Sequence, residues 1–170
     1  MFRRLVGLYD SFLLKAFDVS GDILLLILRL YFGYQFLISG WGKLHSIERV
    51  TGFFTSLGIP APALNAWFVS GLECVGGLLL ILGLGARLIS SLLAVNMMVA
   101  YLTADRDALT GIFQDPEPFL KADPFLFLLT SLIVMAFGPG RVSVDFLIGR
   151  WLRRRQPAAG LPSVQSPSAG

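Results

Sequence analysis

Cysteine, histidine and charge are scarce in this chain, and each scarcity closes a class of chemistry. The lone cysteine, Cys74, excludes an internal disulfide, a CxxC redox pair and any cysteine-rich metal or iron–sulfur centre. The lone histidine, His45, excludes a bis-histidine haem within one chain, and no CxxCH attachment site is present. No metal site is therefore expected. Charged residues make up 15% of the 170 positions, against about 25% in soluble domains. A cleavable signal is not expected, since Asp10, Lys15 and Asp18 interrupt any apolar stretch after Arg3 and Arg4. Nor is there a basic stripe. The net charge is +3, but the basic residues flank apolar runs, which argues against nucleic acid and for topogenic charges and contact with anionic lipid.

What is abundant is apolar sequence, 55% of the residues, with a mean hydropathy of +0.71. The expected fold is all-α and membrane-integral: an antiparallel bundle of four transmembrane helices preceded by a short interfacial helix. Residues 1–22 are amphipathic, with Leu5, Leu8, Phe12 and Lys15 at helical spacing, and are too polar to span. The spans fall at about residues 23–44, 66–84, 88–104 and 122–138. A short surface helix is expected between Ser46 and Leu57, with Phe53, Phe54 and Leu57 facing the membrane. Gly58-Ile59-Pro60-Ala61-Pro62 turns the chain into the second span. Gly83-Leu84-Gly85-Ala86-Arg87 is so tight a link that the third span must return beside the second. The 105–123 connection is charged and broken by proline. Only 17 uncharged residues separate Asp123 from Arg141, so the fourth span is short, tilted or begins before Lys121. Residues 150–170 read as a basic stretch followed by a disordered tail.

Lys and Arg set the orientation. With both termini on one side, that side holds Arg3, Arg4, Lys15, Arg87, Arg141, Arg150, Arg153, Arg154 and Arg155, nine in all. The other holds Lys43, Arg49, Arg106 and Lys121, four in all. The positive-inside rule then predicts a multi-pass membrane protein with both termini cytoplasmic.

Ionisable residues at depth are turned inward and partnered, which makes Glu73, Lys43, Arg29, Gln35 and Asn96 the candidate site residues. A rise of about 1.5 Å per residue puts Glu73 roughly 10 Å below the outer surface, level with Gln35, and Arg29 roughly 9 Å above the inner one, near Asn96. Helical side chains lean toward their own N-terminus. Lys43 therefore leans into the membrane and Glu73 leans out toward it. Lys43–Glu73 is the favoured pair, Arg29–Asn96 a second polar layer, and Arg29–Glu73 the alternative. Ser70, Glu73 and Gly77 share a face that allows close approach to the first helix. The pair reads either as a structural ion pair fixing helix register or as a proton-handling or ligand-binding carboxylate. Cys74 reads as packing, His45 as a solvated interface residue, and Tyr31, Phe32, Tyr34 and Trp41 as packing and interface anchors.

The chain resembles the DoxX family of small four-helix bacterial membrane proteins over roughly residues 24 to 146. The resemblance rests on Arg29 with Gly33, Gly40-Trp41-Gly42-Lys43-Leu44, Gly58-Ile59-Pro60 and Glu73-Cys74-Val75-Gly76-Gly77. It continues through Gly83-Leu84-Gly85-Ala86-Arg87 and Gly138-Pro139-Gly140-Arg141-Val142-Ser143-Val144-Asp145. It implies a four-helix membrane bundle and a part in membrane redox complexes, including thiosulfate or thiol oxidation and oxidative-stress defence. No covalently bound cofactor and no catalytic residue is assigned. Electron transfer would need quinone or a soluble redox partner, and the chain could form a homo-oligomer. Three readings follow in order: a quinone-facing or accessory subunit of an oxidoreductase system, a non-enzymatic scaffold or assembly factor, and a small proton-coupled transporter using Glu73. Four short spans and no visible inverted repeat count against the last.

Overall fold

The structure, a computed structural model, describes the backbone of residues 2–155 and the side chains of residues 19–155. The described residues form helices joined by turns, with no strand among them. Helix α1 runs from Phe2 to His45. Its forty-four residues make a rod of about 66 Å. The sequence suggested a separate interfacial helix ending at residue 22, but α1 continues through that point. Gly21 has open space around it, and no proline removes a backbone donor. One interior glycine costs only about 1 kcal/mol, too little to break a helix whose neighbours all favour it.

Helix α2, Ile47–Ser56, occupies the stretch expected to form a short surface helix. Helix α3, Pro62–Leu82, starts on a proline, whose missing N–H is unneeded in the first turn. It ends in a turn where Gly83 N donates to Leu80 O and Leu84 N to Leu79 O, with Gly83 at φ 66°. Gly85 is also left-handed, at φ 57°. Two such residues reverse the chain at once into α4, Ala86–Thr103. The charged connection holds two single-turn helices, α5 (Arg106–Thr110) and α6 (Glu117–Lys121). Helix α7, Pro124–Phe137, is apolar but only 14 residues long, about 21 Å. The last helix, α8, covers Val144–Arg155. The sequence reading ended the bundle at 149 and began a tail at 150, and so missed it. Its start is capped by Ser143, whose Oγ accepts from Phe146 N at 3.2 Å. The disordered tail expected beyond residue 156 lies outside the described residues.

Three helical stretches are long and apolar enough to cross a membrane: Val19–His45, Pro62–Leu82 and Ala86–Thr103. Their exposed residues are those a bilayer would cover, including Ile27, Ile38, Phe68, Val75, Leu88 and Val95. α1 packs on α3, α3 on α4, α4 on α7, and α7 back on α1. The core they enclose includes Phe36, Leu80, Leu93, Met97, Tyr101, Leu128 and Val134. The α1–α3 contact is the closest. A Cβ on Gly77 would sit 2.5 Å from Leu37 N, and one on Gly40 would lie 2.7 Å from Ser70 O. Only glycine lets the two backbones run that near each other. The order of these contacts, Gly33 on Gly77 and Gly40 on Ser70, makes α1 and α3 antiparallel.

Candidate functional site

Close approach of α1 and α3 brings Ser39 and Lys43, one helical turn apart on α1, over Glu73 of α3. Glu73 is 1% exposed. Lys43 Nζ lies 2.6 Å from both of its carboxylate oxygens. Ser39 Oγ donates to Oε2 at 2.9 Å, and Asn96 Nδ2, from α4, donates to Oε1 at 3.1 Å. An ionised carboxylate offers about four lone-pair sites, and these contacts occupy them. The charge is thus buried on the glutamate side only, since the Lys43 side chain keeps 36% of its surface exposed.

That exposed part faces a cavity of about 810 Å³ between α1, α2, α3, α4 and the start of α7. Its walls are apolar, with Phe36, Phe53, Phe54, Leu57, Val69 and Phe127 prominent. Ser39, Lys43, Glu73 and Asn96 form a polar floor. Arg49 and Asn65 also contribute to the lining. An ammonium carries three N–H donors. Two are engaged by Glu73, so one remains for a molecule entering the cavity.

Arg29 belongs elsewhere. It is 1% exposed and its guanidinium reaches four backbone carbonyls at the opposite end of the bundle. Nε donates to Leu80 O at 3.0 Å and an Nη to Ile81 O at 3.0 Å. The other Nη donates to Pro139 O and, at 3.0 Å, to Val142 O. Arg29 therefore caps the C-terminal end of α3, adding a second donor to Leu80 O and one to Ile81 O, and ties it to the loop before α8. Asp145 performs the reciprocal task. Its carboxylate accepts from Gly85 N at 2.8 Å and Ala86 N at 2.9 Å, capping α4 from another element. Asp22 accepts from Arg141 N at 2.9 Å and anchors the same loop on α1.

The expected Arg29–Asn96 layer is thus absent, and Asn96 joins Glu73 instead. Glu73 lies ten residues before Gly83 and Asn96 ten after Ala86, so the tight link sets them level. Moving the span boundaries by two residues was enough to mislead the depth estimate. Gln35 is half-buried, and its side chain makes no hydrogen bond among the described residues and does not line the cavity. The α1–α3 contacts set Glu73 level with Gly40, about five residues beyond Gln35, which also points about 80° away from Lys43 around α1. Ser39, Asp22 and Asp145 were not singled out from sequence. Ser39 could have been found as the residue one turn before Lys43 on the same face. Cys74 is half-buried, and its backbone packs on Gly40. His45 Nδ1 lies 2.9 Å from Trp41 O.

A family model, DoxX, matches residues 24–106. The Bacillus subtilis (strain 168) protein named "Putative oxidoreductase CatD" is 30% identical over 133 residues, covering 77% of this chain and 88% of that protein. The chain belongs to the DoxX family. No solved structure matches it. The matched DoxX region carries Ser39, Lys43, Glu73 and Asn96 together, so the whole polar floor lies inside it. It also carries Arg29 and the Gly83–Gly85 link, while two of Arg29's four acceptors, Pro139 and Val142, lie beyond it.

Proposed function

We propose that this DoxX protein is the membrane subunit of a redox system and that its cavity receives the head of a quinone. The observation that carries the reading is the cavity itself: apolar walls over a floor with one free lysine N–H and the Asn96 amide. Such a lining suits an amphipathic molecule with acceptor oxygens at one end and an apolar body. The glutamate is already saturated by its neighbours, so Lys43 and the Asn96 amide are the groups the floor offers to a ligand. The relative's name, an oxidoreductase, points the same way. Because the chain supplies no redox group of its own, electrons would pass between the quinone and a soluble partner protein. In this reading α7 completes an antiparallel four-helix bundle, both termini face the cytoplasm, and the membrane is the bacterial cytoplasmic membrane.

The test is the quinone content of protein purified in mild detergent, read by solvent extraction and mass spectrometry. Near-stoichiometric quinone is expected, falling several-fold in Lys43→Met. Protein that carries none, and that takes up no short-chain ubiquinone or menaquinone on titration, would end the reading. A second reading, a non-enzymatic scaffold or assembly factor, is favoured by the self-contained hydrogen bonding of Glu73, which a purely structural pair would share. It predicts partner proteins co-purifying with an empty cavity.

A further inference from the structure

The residues of α8 read VDFLIGRWLRRR, and none of them is buried. On a wheel of about 100° per residue, Val144, Leu147, Ile148, Trp151 and Leu152 fall within an arc of roughly 140°. Arg150, Arg153 and Arg154 occupy the adjoining arc together with the half-buried Phe146, and Arg155 falls on the apolar arc itself. Leu147 is 64% exposed and Trp151 51%. Beyond Asp145, which is committed to Gly85 and Ala86, the helix contains no acidic residue to neutralise the arginines. Arg155 stacks its guanidinium on Trp151, 3.7 Å from the ring centroid.

The height at which this helix leaves the bundle is fixed. Asp145 N donates to Gly83 O at 3.0 Å, and its carboxylate holds the first N–H groups of α4. Those atoms mark the turn between two apolar spans. α8 therefore starts at the edge of the hydrocarbon. Phe137, Val142 and Leu88 are exposed at the same end of the bundle, so the apolar arc of α8 continues onto lipid-facing surface. An apolar arc bordered by unneutralised arginines satisfies both faces only along the boundary between acyl chains and headgroups.

We propose that α8 is an interfacial anchor that lies in the membrane surface and binds anionic phospholipid headgroups through Arg150, Arg153 and Arg154. A guanidinium presents a planar fork of donors that matches phosphate oxygens, and each arginine at an anionic surface is worth roughly a five-fold gain in partitioning. The apolar arc sets depth and the arginine arc selects headgroup charge.

Two measurements on the full chain test this. Protein equilibrated with equal amounts of phosphatidylglycerol and phosphatidylcholine is analysed by native mass spectrometry. The wild type should retain phosphatidylglycerol at least about five-fold over phosphatidylcholine, and the Arg150→Gln, Arg153→Gln, Arg154→Gln variant should lose that preference. In a Trp41→Phe, Trp67→Phe background, which keeps every arginine, Trp151 in anionic vesicles should be quenched by brominated acyl chains and shielded from aqueous iodide. Equal retention of the two lipids by the wild type, or a preference that survives in the triple variant, overturns the headgroup role. Iodide quenching of Trp151 without bromolipid quenching overturns the interfacial placement.

Discussion

Replacing Glu73 by glutamine puts the polar floor under its most direct strain. Three donors converge on this carboxylate: Lys43 at 2.6 Å, Ser39 at 2.9 Å and Asn96 at 3.1 Å. A glutamine amide keeps one acceptor oxygen and turns the other position into a donor, so at least one of the three must face an N–H. Breaking a pair buried on both sides typically costs about 3–5 kcal/mol. Here the lysine side chain is 36% exposed and opens onto the cavity, so it can swing toward water. That lowers the expectation to about 2–3 kcal/mol. Lys43→Met leaves the carboxylate with two neutral donors and no counter-charge, and should cost a similar amount. The double variant Lys43→Met, Glu73→Gln should then recover about 1 kcal/mol or more of the summed losses. Unfolding by SDS titration in mixed micelles, followed by tryptophan fluorescence, supplies the four free energies. Simply additive losses would refute the coupling and reduce Lys43–Glu73 to a contact without energetic consequence. Recovered stability with quinone still lost would separate a binding role from a structural one.

Gly77→Ala forces a methyl onto the Leu37 backbone and should cost about 1–3 kcal/mol, whereas Gly42→Ala, with nothing near it, should be neutral in the same titration. Arg29→Met strands the Ile81, Pro139 and Val142 carbonyls, Leu80 O keeping its bond from Gly83 N, and should abolish well-folded material on size-exclusion chromatography, with Arg29→Lys rescuing it only in part. Asp145→Ala removes the cap of α4 and should lower stability by about 1 kcal/mol, with Asp145→Asn close to wild type. A cysteine at position 160 in a Cys74→Ala background should escape an impermeant thiol reagent in whole cells, and labelling there would reverse the proposed orientation.

Where the sequence was legible, one local signal sufficed. Proline at 62 and the glycines at 83 and 85 bound α3 and α4 to within a few residues of their expected ends. Side-chain direction placed Lys43 over Glu73, and the two are in contact. The failures share a physical cause. Arg29 was assigned a side-chain partner because side chains are what a sequence displays, while its acceptors are carbonyls 51 to 113 residues away. Gln35 was placed by a depth count from assumed span ends, which missed Glu73's level by about five residues, and without its direction around the helix. The basic run after Arg150 was read as charge density, although Ser143 had already provided a helix start.

The Arg29 cluster also constrains how the protein is made. Its first acceptor, Leu80, is 51 residues downstream and Pro139 is 110. At a synthesis rate of roughly 5–20 residues per second, the cation waits about 6–22 s for Pro139 to be translated. During that interval the earliest span carries a cation whose acceptors are incomplete, in surroundings where such a group is expensive. Nascent chains arrested before Pro139 should therefore remain shielded by the insertion machinery. The loop after the last helix of the bundle completes the first.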